Sequence, residues 1–235
     1  MSKDTWMVVI YGPNGAGKST FYENFLKNDP FFKKVDFVNL DVEAAKLSGG
    51  TSDPDEVMLE AGRNIKNRIA EKMQKRETFI YETTSAGRSH FKFIKQAHEL
   101  GYKVASIFIG LSSSELSLLR VKGRVENGGH DVPPEVIERR FPNIMKNFPE
   151  MLKISDISVA FDNSKKIPYE LIFMMDNHKL LVFRSYPKWL NLALKDRKTR
   201  KEIVHVTKDE VAHMSSEKMQ SVVKKVFDAL NSKTK

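Results

Sequence analysis

The sequence predicts an α/β fold: a three-layer sandwich around a five-stranded parallel sheet, with a helical lid and a small C-terminal β-hairpin plus helix. Three observations predict it. Short, continuous apolar runs alternate with longer segments of helical periodicity, a glycine-rich loop separates the first run from the first helical segment, and the alternation stops after Asp162. Continuous apolar runs suit strands covered by helices on both faces. Strand–helix alternation predicts parallel pairing through right-handed crossovers.

The first strand is Trp6-Met7-Val8-Val9-Ile10-Tyr11. Val35–Leu40, Thr78–Tyr81, Val104–Ile109 and Ile157–Phe161 read as the next four. Asp53-Pro54-Asp55-Glu56 combines an N-cap acid, a proline in the first turn and a glutamate at the capping-box position. A helix is expected from there to about Arg76. Another spans roughly 87 to 100 and stops at Gly101. Ser112-Ser113-Ser114-Glu115 is a second capping box, opening a helix through about Arg124. Beyond Asp162, Leu171–Met175 and Leu180–Arg184 flank Asp176-Asn177-His178 as a hairpin. A basic stretch follows, Lys195–Lys201. Then Met219, Val222, Val223, Val226, Phe227 and Leu230 recur at the spacing of an amphipathic helix. The expected division is a core over residues 1–165, with a lid at about 120–148, and an accessory hairpin and helix over 166–235.

A chain of 235 residues with 40% hydrophobic and 10% aromatic side chains fits one ordinary domain with an appendage. It has no cysteine, which excludes a disulfide framework and thiolate metal sites and fits a reducing compartment. Met1–Asp4 is polar, and Trp6–Tyr11 is too short for a signal peptide or a membrane span. A cytoplasmic location without a membrane partner is expected. The net charge of +9 favours anionic partners, although lysine-rich surface helices that keep the chain soluble account for it equally well.

The chemistry starts at Gly12-Pro13-Asn14-Gly15-Ala16-Gly17-Lys18-Ser19, followed by Thr20. It fits G-x-x-x-x-G-K-S/T between a strand and a helix, the setting a phosphate-binding loop requires. Glycines let the backbone wrap around phosphate oxygens, successive N–H groups point inward, and the helix N-terminus adds positive potential. Lys18 should reach the β- and γ-phosphates of ATP, and the Ser19 hydroxyl should ligate Mg²⁺. The fold is therefore expected to be that of a P-loop NTPase.

In open α/β sheets, ligands bind beyond the carboxyl ends of the strands. Asp41, read at the end of the second strand, can accept the proton of an attacking hydroxyl or hold it in line; it can also simply cap the next segment. Glu82-Thr83-Thr84-Ser85 ends the third strand as a polar rim suited to a hydroxyl-rich substrate or to Mg²⁺-bound water, unless Thr84 or Ser85 only caps the next helix. Arg120 and Arg124 are four apart and share a helix face. Gly128-Gly129 makes a corner, and a second helix carries Arg139 and Arg140. Two helices joined this way can close over a nucleotide and bring arginines to the transferred phosphoryl group. His130 at the corner either contacts substrate or phosphate or satisfies backbone groups. Pro142 is expected to kink or end the second helix.

Together these pieces resemble the zeta toxin family of P-loop kinases, and within it a small Gly-Gly-His-x-Val-Pro branch. Four segments carry the resemblance: Gly12–Thr20, the strand ending Val38-Asn39-Leu40-Asp41, the run Phe79–Thr84, and Arg120–Phe141. The resemblance implies a shikimate-kinase-like sheet, ATP and Mg²⁺ chemistry, and a sugar-nucleotide acceptor such as UDP-N-acetylglucosamine. It puts Lys18 and Ser19 on phosphate and metal and Asp41 in the general-base place. Glu82 and Thr84 take the substrate rim, and Arg120, Arg124 and Arg140 the phosphate-neutralising places. It also leaves room for an antitoxin protein as partner. The chain departs from the larger toxins in its lid sequence and lacks their long substrate-binding insertions.

The reading is thus a phosphotransferase acting on a hydroxyl of a small molecule. The alternatives are a nucleotide-switched nucleic-acid-binding NTPase and a polynucleotide kinase. Few aromatics interleave with Lys195–Lys201, which argues against base stacking and against nucleic acid as partner.

Overall fold

A computed structural model of the protein describes residues 4–47, 54–166, 168–176, 179–182, 187, 189–190 and 203–205. The strands are β1 (Trp6–Tyr11), β2 (Asp36–Asn39), β3 (Phe79–Thr83), β4 (Lys103–Gly110), β5 (Ile157–Asp162), β6 (Glu170–Asp176), β7 (Lys179–Val182) and β8 (Ile203–His205). They form one sheet in the order β2-β3-β1-β4-β5-β6-β7-β8. The first five pair in parallel, with Val8 opposite Ile80 on one side and Ala105 on the other. This is the five-stranded parallel sheet the apolar runs predict. The hairpin is also present, but it prolongs the same sheet: β6 runs antiparallel to β5, and β7 to β6. The short strand β8, parallel to β7, carried no expectation from the sequence. Lys195–Lys201, the helical pattern over Met219–Leu230 and the capping acid Asp53 lie outside the described residues.

Strand β1 shows why the middle layer is dry. All six of its residues are buried, and they divide by alternation. Met7, Val9 and Tyr11 enter one core with Ile65, Ile69, Phe91, Ile94 and Phe148. Trp6, Val8 and Ile10 enter the other with Phe21, Leu26, Phe32 and Phe161. A strand covered on both faces has no use for polar residues, hence the unbroken apolar run.

The helices are α1 (Lys18–Phe21), α2 (Leu40–Leu47), α3 (Pro54–Gln74), α4 (Ser89–Glu99), α5 (Ser114–Glu126) and α6 (Pro134–Ile154). After α1 the chain continues as a π-turn over Tyr22–Leu26. Helix α4 stops where Gly101 takes φ +77, a backbone only glycine adopts cheaply. Helix α5 is capped as its serines predict, with Ser113 Oγ accepting from the Leu116 N–H at 3.3 Å.

Of the two outcomes expected at Pro142, ending the helix does not occur: α6 runs on through Pro142 and Pro149 to Ile154. Asn143 Nδ2 donates to the Arg139 carbonyl at 3.2 Å beside the first proline. The cause of the continuation is burial. Ile137, Ile144, Phe148, Met151 and Leu152 form one buried face across both prolines. At about 1.5–3 kcal/mol per large side chain, that face outweighs a local proline cost of about 3 kcal/mol. No described helix is long and apolar enough to cross a membrane.

Candidate active site

The loop Gly12–Ser19 leaves β1 at the carboxyl edge of the sheet and enters α1. Its glycines are required by space as well as by conformation. Gly12 has φ +146, and a Cβ there would lie 2.1 Å from the Ile109 carbonyl oxygen. Gly15 and Gly17 have φ +68 and +88. A Cβ on Gly17 would meet the Tyr169 hydroxyl at 2.8 Å and Asn163 Nδ2 at 2.9 Å.

The loop's carbonyls are held from outside. Pro13 O accepts from the Ala16 N–H at 3.2 Å and from Lys18 Nζ at 3.0 Å. Asn14 O takes the Ser117 hydroxyl at 2.6 Å, Ala16 O takes Asn163 Nδ2 at 2.9 Å, and Gly17 O takes the Tyr169 hydroxyl at 2.9 Å. Sequence reading missed Ser117, Asn163 and Tyr169. They lie over a hundred residues from the loop and carry ordinary polar groups without a spacing signal.

Lys18 and Glu82 form the centre of the site, 8% and 7% exposed with Nζ 4.0 Å from Oε1. Glu82 lies deeper than an open rim: its carboxylate accepts from Ser19 Oγ at 2.9 and 3.2 Å. Burial pushes the Glu82 carboxyl up, against the pull of the Lys18 charge and of hydrogen bonds from Ser19 and Asn39. Burial likewise pushes the Lys18 ammonium down, against Glu82 and then Asp41. Arg124 and Arg140 are close enough to push it in the same downward direction. Ser19 Oγ and Lys18 Nζ thus both reach Glu82, and Lys18 lies within electrostatic reach of Asp41, Arg124 and Arg140.

Asp41 is not on a strand. Strand β2 ends at Asn39, and Asp41 sits exposed in the first turn of α2. Asn39 is the residue that caps, its Oδ1 accepting from the Val42 N–H at 3.0 Å. Asp41 is thus released from capping. Neither Thr84 nor Ser85 caps α4, which begins at Ser89 after Arg88. Thr83 Oγ1 accepts from the Ser85 N–H at 3.1 Å, shaping the turn.

The lid helices have a small core of their own, Val121, Val132 and Ile137. Arg120 donates to the Asn163 carbonyl and Arg124 to the His130 carbonyl, while the His130 residue itself is exposed at the corner. Gly129 has no room for a side chain because the Arg124 stem lies across it, with Cγ 2.5 Å from an added Cβ. Among the described residues, Arg124 Nε is buried and has no hydrogen-bond partner. Ser19 Oγ and the Glu82 carboxylate are hard oxygen donors side by side. That set suits Mg²⁺, which takes one or two protein oxygens and completes its shell with water and phosphate.

The turn after β3 is tied to α6. Ser85, at φ +60, bonds through Oγ to His90 Nε2 at 2.8 Å. Asn147 Nδ2 donates to the Ser85 and Gly87 carbonyls at 2.8 and 3.2 Å, and Arg88 pairs with Glu150 at 2.6 Å. His90 is 1% exposed, and burial, with Arg88 beside it and Glu150 opposing, lowers its pKa from 6.5 to about 4. An unfolded histidine titrates near pH 6.5, so the native state resists protonation. The stability this confers is complete above about pH 6.5 and is lost as pH falls toward about 4. Urea unfolding should show the wild type losing about 3 kcal/mol more than His90→Gln over that interval. Parallel pH profiles for the two proteins would contradict the assignment.

Comparison with known proteins agrees with this geometry. Residues 7–150 match the family described as AAA domain. A Haemophilus influenzae protein described as uncharacterized is 27% identical over 130 residues, 55% of this chain and 88% of that protein. A chain of the PezAT chromosomal toxin–antitoxin system of Streptococcus pneumoniae superposes with TM-score 0.54 at 18% identity, covering 68% of each chain. A chain of the AvrRxo1-ORF1:-ORF2 complex with ATP superposes with TM-score 0.61 at 14% identity, covering 94% of this chain and 76% of that one. The fold shared with these structures is the α/β P-loop fold.

Proposed function

The chain belongs to the AAA domain family, and on that premise we propose that it is an ATP- and Mg²⁺-dependent phosphotransferase acting on a hydroxyl of a small molecule. The observation that carries the reading is the convergence of Lys18, Ser19 and Glu82 within 4.0 Å, with Asp41, Arg124 and Arg140 in electrostatic reach of Lys18. Loop amides and Lys18 hold the phosphate tail, and Ser19 with Glu82 would hold Mg²⁺. When bound, the metal neutralises charge on the β- and γ-phosphates. Asp41, which is exposed, takes the proton of the attacking hydroxyl. Arg124 and Arg140 offset charge on the transferred group, and Arg120 anchors the lid beside the loop. Thr83, Thr84 and His130 border the acceptor.

The zeta toxin resemblance supports a sugar nucleotide as acceptor, and that resemblance together with the PezAT toxin–antitoxin structure among the fold relatives supports an antitoxin as partner. The test is ADP release measured over sugar nucleotides, nucleosides and polyols, with Lys18→Ala as blank and mass spectrometry for a single added phosphate. Basal hydrolysis that no acceptor exceeds would refute the kinase reading.

A further inference from the structure

We propose that Ser117, Asn163 and Tyr169 are positioning residues that set the phosphate loop's amides before nucleotide arrives; this rests on the nucleotide-binding reading of that loop. In a planar trans peptide the C=O of one residue and the N–H of the next point to opposite sides. A donor that fixes a carbonyl toward the protein body therefore fixes the following N–H toward the cradle.

Three such donors act here, one from α5 and two from the β5–β6 connection. Ser117 Oγ on α5 holds the Asn14 carbonyl at 2.6 Å and so aims the Gly15 N–H. Asn163 Nδ2, just after β5, holds the Ala16 carbonyl at 2.9 Å and aims the Gly17 N–H. The Tyr169 hydroxyl, just before β6, holds the Gly17 carbonyl at 2.9 Å and aims the Lys18 N–H. The Gly17 carbonyl also accepts the Phe21 N–H at 2.8 Å, so this peptide is fixed twice.

The braces are themselves fixed. Asn163 N–H donates to the Gly110 carbonyl at 3.0 Å, and its Oδ1 accepts from the Tyr169 N–H at 3.1 Å. Its own carbonyl takes the Arg120 guanidinium. The Tyr169 ring packs edge-on against Phe21 and Phe25. Asn163 thus joins the phosphate loop, the lid arginine and the β5–β6 connection. The glycines of the loop are explained by the same contacts: a Cβ on Gly15 would lie 3.0 Å from Arg120 Cβ and 3.1 Å from the Ser117 carbonyl oxygen. Gly15 and Gly17 sit where an added Cβ would meet these same elements.

A pre-set anion cradle spends no binding energy on ordering itself. Removing one brace should therefore weaken nucleotides that reach the cradle, without unfolding the protein. Tyr169→Phe and Ser117→Ala each delete one hydroxyl and keep the packing. Ser158→Ala is the control, because it deletes a buried hydroxyl paired with Ser106 at 2.8 Å between β4 and β5. Calorimetric titration with MgATP and MgADP should show each brace variant binding about threefold to tenfold more weakly, and the pair together about thirtyfold. Ser158→Ala should stay within about twofold, and competition by adenosine, which lacks phosphate, should be unchanged in all. Wild-type affinity in the double variant, equal weakening in Ser158→Ala, or a loss shared by adenosine would overturn the proposal. The wild-type titration reports separately on the nucleotide reading beneath it.

Discussion

Lys18→Ala should lower acceptor-dependent ADP release by about a thousandfold, the cost of losing a preorganised donor aimed at developing phosphoryl charge. Its side chain is buried between the Pro13 carbonyl at 3.0 Å and Glu82 at 4.0 Å. The substitution also strands the Glu82 carboxylate without its cation, and breaking a buried pair this way costs about 3–5 kcal/mol. Stability and catalysis can be separated. The double variant Lys18→Ala with Glu82→Gln removes the stranded charge, so it should recover most of the lost thermal stability while its turnover stays at the level of the blank. If turnover returns together with stability, Lys18 is a structural residue only.

Asp41→Asn should act in the opposite way, on rate with little effect on fold. Asp41 is exposed and Asn39 does the capping of α2, so the change removes at most a helix-dipole contribution of about 0.3–1 kcal/mol. A lost general base lowers kcat by about 10²–10⁴. MgATP affinity should be close to that of the wild type, because the base role proposed for Asp41 concerns the acceptor hydroxyl and not the nucleotide. Calorimetry together with the ADP-release assay checks both halves. An unchanged kcat with the true acceptor would remove Asp41 from the base position.

The parts of this fold that are legible in the sequence are those governed by short-range rules. The apolar run of β1 implies a strand buried on both faces, and all six residues are buried. Ser113 caps α5 and Gly101 terminates α4 because capping chemistry is local. The ending that Pro142 allows does not occur, because the local penalty is outweighed by a face of Ile137, Ile144 and Phe148 that only tertiary packing makes valuable. At the site, spacing finds Lys18 and Ser19, since the motif is contiguous. Spacing also finds Glu82, yet cannot tell an open rim from a buried carboxylate holding Ser19 at 2.9 Å. Asn163 and Tyr169 carry no local signal, because a side chain that holds a distant carbonyl is recognisable only once the chain has folded.

The account stands most directly on whether the loop accepts a triphosphate. Calorimetric titration of the folded wild-type chain with ATP in the presence of Mg²⁺ should show saturable one-to-one binding that Lys18→Ala weakens strongly. Absence of any binding heat with ATP or with GTP, from protein whose thermal unfolding is cooperative, would contradict it.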